Sequence, residues 1–411
     1  MGSDTASVVS AVWRRESARL VAALTRVTRD VELAEDLAQD ALVAALEQWP
    51  RDGIPANPGA WLMSVAKRRA VDQFRRADTL RRRTAELGEQ LAEADVPDLA
   101  AAVDHIEDDV LRLMFLTCHP VLSPESRAAL TLRLVGGLTT QEIARGFLVK
   151  DTAMGQRISR AKKALVGADF ELPTGVERER RLADVMAAIY LVFNEGYAAT
   201  AGEDWTRPDL CHEAVRLARI LAALVPQEPE VHGLQALLEL QSSRLPARRG
   251  ADGEPVLLED QDRSRWDRLL VRSGFAALAR AEALDRPVGP YVVQAALAAC
   301  HARARRAEDT DWQRIAGLYD LLGRLTPSPV VEVNRAVAHG RAHGAVAGLA
   351  VLDGMGPDAL PGSHLVPSVR GDLLSRAGRT REAAAAFREA AALTRNEGER
   401  SLLLRRADEL V

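Results

Sequence analysis

Between Lys150 and Leu165 the apolar residues Met154, Ile158, Ala161 and Leu165 recur every three or four positions. At about 100° per residue they share one stripe of an α-helix. Thr152, Gln156, Arg160 and Lys163 fall on the opposite stripe, with Arg157 and Lys162 flanking it. The same periodicity puts Leu33, Leu37, Ala41 and Ala44 on one stripe, facing away from Glu32, Asp36, Gln39 and Asp40. A third segment, from Asn57 to Asp78, aligns Met63, Ala70 and Phe74 as its inward stripe. Alternating β-branched runs are missing, alanine and leucine abound, and Pro or Gly interrupts at helix-length intervals. The chain is therefore expected to be all-α.

End signals sharpen this picture. Ser123 and Pro124 open a helix that stops at Gly136 and Gly137, and Thr139 with Glu142 three residues on forms a capping box. A break around Leu148–Lys150 leads into the segment with the cationic stripe. A short helix, a tight turn and a second helix make a helix-turn-helix, whose last helix enters the major groove. Upstream, Asn57 caps and Pro58 starts another basic helix, with Trp61 and Val65 at its upstream end.

Charge then turns pattern into candidate chemistry. The 411 residues carry a net charge of −4, and this average hides strong segregation. Trp61–Arg83 holds eight cations against Asp72 and Asp78, and Glu142–Lys163 holds six against Glu142 and Asp151. Between them, Glu86–Asp109 has nine acids and no Lys or Arg. Arg and Gln pair with guanine and adenine edges, and Lys anchors on phosphate, so the cationic stripes suit DNA. An aromatic such as Trp61 beside arginines suits an unpaired base, although packing against a neighbouring helix explains it equally well. The acidic stripe of Asp36, Gln39 and Asp40 suits a basic protein partner.

Other chemistry has weaker support. Cys118, Cys211 and Cys300 each precede a histidine, but adjacent helical residues diverge by about 100° and the pairs lie far apart, so buried small hydrophobes are expected rather than a metal site. Three cysteines imply no disulfide framework and fit a reducing cytoplasm. No run is long and apolar enough for a signal peptide core or a membrane span. Glu259, Asp260 and Asp262 beside Arg263, Arg265 and Arg268 suggest an ion-pair network at a helix start. No nucleotide-binding glycine loop or nucleophile arrangement occurs, so neither an enzyme nor a cofactor is expected.

In order along the chain, "AEDLAQDALVAALEQW", "AWLMSVAKRRAVDQFRR" and "LTTQEIARGFLVKDTAMGQRISRAKKAL" resemble the extracytoplasmic-function sigma factors of bacterial RNA polymerase. The resemblance implies a sigma domain two helical bundle at 7–84, an acidic linker at 85–104, and a sigma domain four helix-turn-helix at 105–167. It assigns Asp36, Gln39 and Asp40 to core RNA polymerase. Arg68, Asp72, Arg75 and Arg76 go to the melted minus-ten strand, and Thr152, Gln156, Arg157, Arg160 and Lys163 to the minus-thirty-five duplex. Arg68 stands where the family often has Asn, Leu148 replaces a common turn glycine, and Gly155 sits mid-helix where Lys is frequent.

"LTCHPVLSPESRAALTLRLVGGLTT", "YLVFNEGYAAT" and "LLEDQDRSRWDR" resemble a subgroup with a long C-terminal extension, here 177–411, described as TPR-like. Gly371, Ala383, Phe387 and Ala390 fall at the small and aromatic positions of one such repeat. The implied function is promoter-specific initiation in partnership with core polymerase and promoter DNA. The extension is expected to modulate activity, with a possible intramolecular contact to the sigma domains and no membrane partner. The competing expectation is a helix-turn-helix regulator with a TPR-like sensor that binds an operator without polymerase.

Overall fold

Prolines and short polar side chains set where the helices begin. In the computed structural model, which describes residues 2–85, 106–147, 149–197, 207–250, 256–356, 359–394 and 397–410, several helices open with proline at the first turn. There the missing N–H costs nothing and φ is already helical. Asp30, Ser123, Thr139, Asp267 and Asp311 cap others by accepting hydrogen bonds from free backbone amides. The chain divides into two units, Met1–Val192 and Phe193–Val411. No helix among the described residues is long and apolar enough to cross a membrane.

The first unit holds α1 (Gly2–Thr28), α2 (Val31–Asp52), α3 (Pro58–Ala85), α4 (Ile106–Thr117), α5 (Pro124–Leu134), α6 (Thr140–Gly146) and α7 (Asp151–Ala164). It also holds most of α8 (Gly175–Tyr197). α1 packs along α2 and against α4, and α3 lies against α2, where the buried Trp49 meets Trp61 edge-on at 5.4 Å between ring centroids. Trp61 thus has a packing partner and remains half-exposed. The inward stripe of α3 differs from the expectation of Met63, Ala70 and Phe74. Leu62, Ala66 and Ala70 are buried, while Met63 and Phe74 are half-exposed. The helix is rotated by about one residue, so that Leu62 rather than Met63 faces the neighbours. On α2 the buried stripe likewise runs through Val31, Ala34, Leu37, Ala38 and Ala41, leaving Leu33 half-exposed. The acidic linker expected at 85–104 lies, but for Ala85, outside the described residues, as does Leu148.

The helix-turn-helix rests on the buried residues Leu113, Met114, Phe115, Leu130, Leu132 and Ile143. Cys118 is buried too, with its Sγ 3.4 Å from Thr131 Oγ1, and burial pushes the thiol up to about 11. α8 is tied to this module by Arg127 on Asp184 at 2.6 Å and by Arg181 Nη2 donating to the Phe115 carbonyl at 2.6 Å. The C-terminal region expected from 177 therefore begins inside α8, whose residues up to Val192 belong to the first unit.

The second unit contains α9 (Pro208–Leu224), α10 (Pro229–Ser242), α11 (Arg268–Ala283), α12 (Pro290–Arg303) and α13 (Trp312–Leu325). It continues with α14 (Pro329–His343), α15 (Ala345–Asp353), α16 (Leu365–Arg376), α17 (Thr380–Leu393) and α18 (Glu397–Asp408). Successive helices pack against one another, as those of stacked repeats do. In the α16–α17 pair, Ala383, Phe387 and Ala390 are each fully buried, and a Cβ on Gly371 would stand 2.7 Å from Phe387 Cδ1. The "LLEDQDRSRWDR" segment does not pair its acids with its own arginines at a helix start. Glu259 instead reaches Arg341 and Arg376, Asp262 caps a short 3₁₀ turn and Asp267 caps α11.

Candidate nucleic-acid interface

Two helices of seven and fourteen residues, α6 and α7, build the candidate interface. The capping box of α6 is complete: Thr139 Oγ1 accepts from Glu142 N at 3.2 Å, and Glu142 Oε2 accepts from Thr139 N at 2.8 Å. Arg14 of α1 donates to the other oxygen, Glu142 Oε1, at 2.7 Å. Burial pushes the Glu142 carboxyl up, but these bonds and the guanidinium hold it below its ordinary value. Trp13 Nε1 donates to the Gly137 carbonyl at 3.2 Å, fixing the preceding turn. There Gly137 adopts φ +71°, and a Cβ would stand 2.5 Å from Ser17 Oγ, so this turn requires glycine.

Met154, Ile158 and Ala161 anchor α7 in the core, and Thr152, Gln156, Arg160 and Lys163 stand exposed on the other side, with Arg157 half-exposed. Asp151 in the first turn and Lys162 and Lys163 in the last match the helix dipole. An added Cβ at Gly155 would meet only Thr140 Cγ2, at 3.8 Å, so packing does not demand glycine there.

Lys162, which flanks the cationic stripe in the sequence, is turned inward rather than held free for phosphate. Its side chain is 12% exposed, and its Nζ lies 3.1 Å from Glu35 Oε2 and 3.8 Å from Glu32 Oε1 on α2. Glu35 also accepts from Arg133 Nε of α5 at 2.6 Å and from Gln39 Nε2 at 2.6 Å. This carboxylate, 4% exposed, joins three helices and was missed in the sequence. A charged residue four positions after Val31 and three before Ala38, within an apolar stripe, is the signal that points to it.

The rest of the acidic stripe is open. Asp36 and Asp40 are exposed and Gln39 is half-buried. Asp36 has its carboxyl raised by burial and by the neighbouring Glu35, Glu32 and Asp40, against the opposing pull of Lys162. Asp40 pairs with Arg69 of α3 at 2.9 Å. Along the same line, Val43 and Leu46 are 48% and 45% exposed beside a hollow of about 360 Å³. On α3, Arg68, Asp72 and Arg75 are exposed, and the side chain of Arg76 lies outside the described residues.

A solvent-facing basic helix on a helix-turn-helix, in one unit with a second basic helix, fits the class of DNA-binding proteins. Residues 12–79 match the sigma-70 region 2 family, residues 112–165 match sigma-70 region 4, and residues 181–282 match a family of unknown function, DUF6596. The uncharacterized protein R00370 of Rhizobium meliloti (strain 1021) is 46% identical over 396 residues, 94% of this chain and 92% of that protein. The ECF RNA polymerase sigma factor SigK of Mycobacterium sp. (strain KMS) is 32% identical over 143 residues, 33% of this chain and 69% of SigK. The probable ECF RNA polymerase sigma factor SigI of Mycobacterium tuberculosis (strain ATCC 25618 / H37Rv) is 30% identical over 158 residues, 38% of this chain and 54% of SigI. No solved structure matches. The chain belongs to the extracytoplasmic-function sigma factors of the sigma-70 superfamily, and it directs promoter-specific transcription initiation. It carries a helical C-terminal extension beyond the sigma regions.

Proposed function

We propose that this sigma factor divides its work among three surfaces. Thr152, Gln156, Arg157, Arg160 and Lys163 read the minus-thirty-five duplex in the major groove. Arg68, Asp72, Arg75 and Arg76 hold the opened minus-ten strand. Asp36, Gln39 and Asp40 dock on core RNA polymerase, together with the adjoining Val43 and Leu46. Supporting this last surface is its composition: acids and exposed aliphatics on one helical line suit a protein partner, because large apolar groups are depleted from surfaces that meet only water. The functional domains run over 7–84 and 105–167, and the extension from 177 modulates activity without catalysing a reaction.

The observation that carries this reading is the exposure of Thr152, Gln156, Arg160 and Lys163 on a helix whose other side is buried. A rigidly seated helix with an open polar face pays little entropy on entering a groove. Arg160→Ala is expected to weaken binding of polymerase holoenzyme to duplex containing the upstream element. If Arg160 contacts one phosphate, the log–log salt dependence flattens by about 0.9. Unchanged affinity, sequence preference and slope in a salt titration would remove Arg160 from the interface.

A further inference from the structure

The segment Leu257–Trp266, singled out in the sequence for its mixed acids and arginines, contributes to the lining of a cavity of about 540 Å³ in the second unit. That volume lies within the range of pockets that enclose a small organic ligand. Apolar lining comes from Leu257 and Leu258 of the segment, Trp312 of α13, Val337 of α14 and Val369 of α16. The rest is charged: Arg263, Arg341 and Arg406 share the wall with Glu259, Asp372 and Glu308. Arg341 bonds Glu259, Arg376 reaches Glu259 at 3.5 Å and Asp372 at 2.9 Å, and Arg406 reaches Asp372 at 2.5 Å. Glu259 and Asp372 are thus each shared between a lining guanidinium and Arg376, which is not itself part of the lining. The third lining guanidinium, Arg263, donates to neutral oxygens: the carbonyls of His301 and Ala304 and the hydroxyl of Thr310. Glu308, the remaining lining acid, is 65% exposed and lies 3.4 Å from Arg306.

Hydrogen-bond capacity points the same way. Arg263 Nε, Arg341 Nε and Ser368 Oγ, all of lining residues, are buried without a hydrogen-bond partner among the described residues. A guanidinium N–H only donates and a hydroxyl can donate, so a ligand must bring acceptor atoms to satisfy them. Buried donors left unpaired are costly, and a guanidinium such as Arg263, bonded here to neutral oxygens, favours an anionic acceptor. Burial, with Arg244 and Arg263 nearby, pushes the His301 imidazole down to about 4, so it adds no charge of its own near neutrality.

We propose that this cavity binds a small organic carboxylate, with its apolar body against Trp312, Val337 and Val369 and its oxygens among Arg263, Arg341 and Ser368. The extension is then a ligand-binding module, whichever way it acts on the sigma regions. Its test is calorimetry on the full chain with phenylacetate and longer aryl or alkyl monocarboxylates, each against its uncharged amide. Saturable one-site binding is expected for a member of the acid series, with the matching amide bound at least about tenfold more weakly. Arg341→Gln should weaken the acid by a similar factor. Val337→Phe fills the cavity from its wall without touching a charge, and it should abolish binding while the melting temperature is kept or raised. Absence of saturable binding across the series, equal binding of acid and amide, or undiminished binding to a folded Val337→Phe protein would each overturn the proposal.

Discussion

Glu35 shows how one side chain can fix the arrangement of helices far apart in sequence. Its carboxylate meets Arg133 at 2.6 Å and Lys162 at 3.1 Å, and it is nearly inaccessible to water. Removing one partner of a buried ion pair costs about 3–5 kcal/mol, because the other charge is left stranded. Here Arg133 and Lys162 keep 20% and 12% exposure and can recover some hydration. Glu35→Ala is therefore expected to lower stability by about 2–3 kcal/mol in urea unfolding. Glu32→Ala, which removes a 3.8 Å contact from a carboxylate 44% exposed, should cost under about 1 kcal/mol. Equal losses for the two variants would show that Glu35 is not the hub.

At the scale of elements, the sequence was most legible where local chemistry decides. The Thr139–Glu142 box, the Ser123 cap and the stripe of α7 all involve residues within about one or two turns of each other, and the structure contains them as read. The rotation of α3 was not legible, because Met63 and Leu62 are equally apolar and only the neighbouring helices select between them. Glu35 escaped for the same reason: its partners lie 98 and 127 residues away. In the C-terminal stack the repeat spacing read from Gly371, Ala383 and Phe387 corresponds to a real close approach. Gly371→Ala would place a methyl group 2.7 Å from a fully buried ring. A shift of the Phe387 ring is needed, and overpacking of this kind costs about 1–3 kcal/mol. Thermal unfolding should report the loss, and an unaltered midpoint would mean that the α16–α17 contact is looser than described.

For the whole molecule, the first unit poses a geometric problem that function must solve. The minus-ten and minus-thirty-five elements lie about 25 base pairs apart, on the order of 85 Å of B-form DNA at 3.4 Å per pair. Yet Lys162 of α7, the proposed reading helix, sits at 3.1 Å on Glu35 of α2, the helix proposed to face polymerase. Occupying both elements at once requires α7 to leave α2, with Lys162 exchanging a carboxylate for solvent or phosphate. Dyes on cysteines introduced at Glu47 and Ala164, both exposed, read this separation directly. The native thiols interfere little, since burial raises Cys118 to about 11 and Cys211 to about 12. Glu47 stands about 18 Å beyond Glu35 along α2, so the dyes are expected on the order of 20–30 Å apart in the free protein and tens of ångströms farther apart with core polymerase and promoter DNA bound. An unchanged distance would mean that the first unit acts as one rigid body on DNA.

The division of surfaces is tested most directly by run-off transcription with purified core polymerase, comparing the wild-type chain, Asp36→Lys and Gln156→Ala. The wild type should yield a promoter-specific transcript. Asp36→Lys should lose the transcript together with core binding, and Gln156→Ala should lose promoter selectivity while still binding core. A wild-type chain that binds a specific duplex alone and leaves core polymerase unaffected, or an Asp36→Lys variant as active as the wild type, would contradict it.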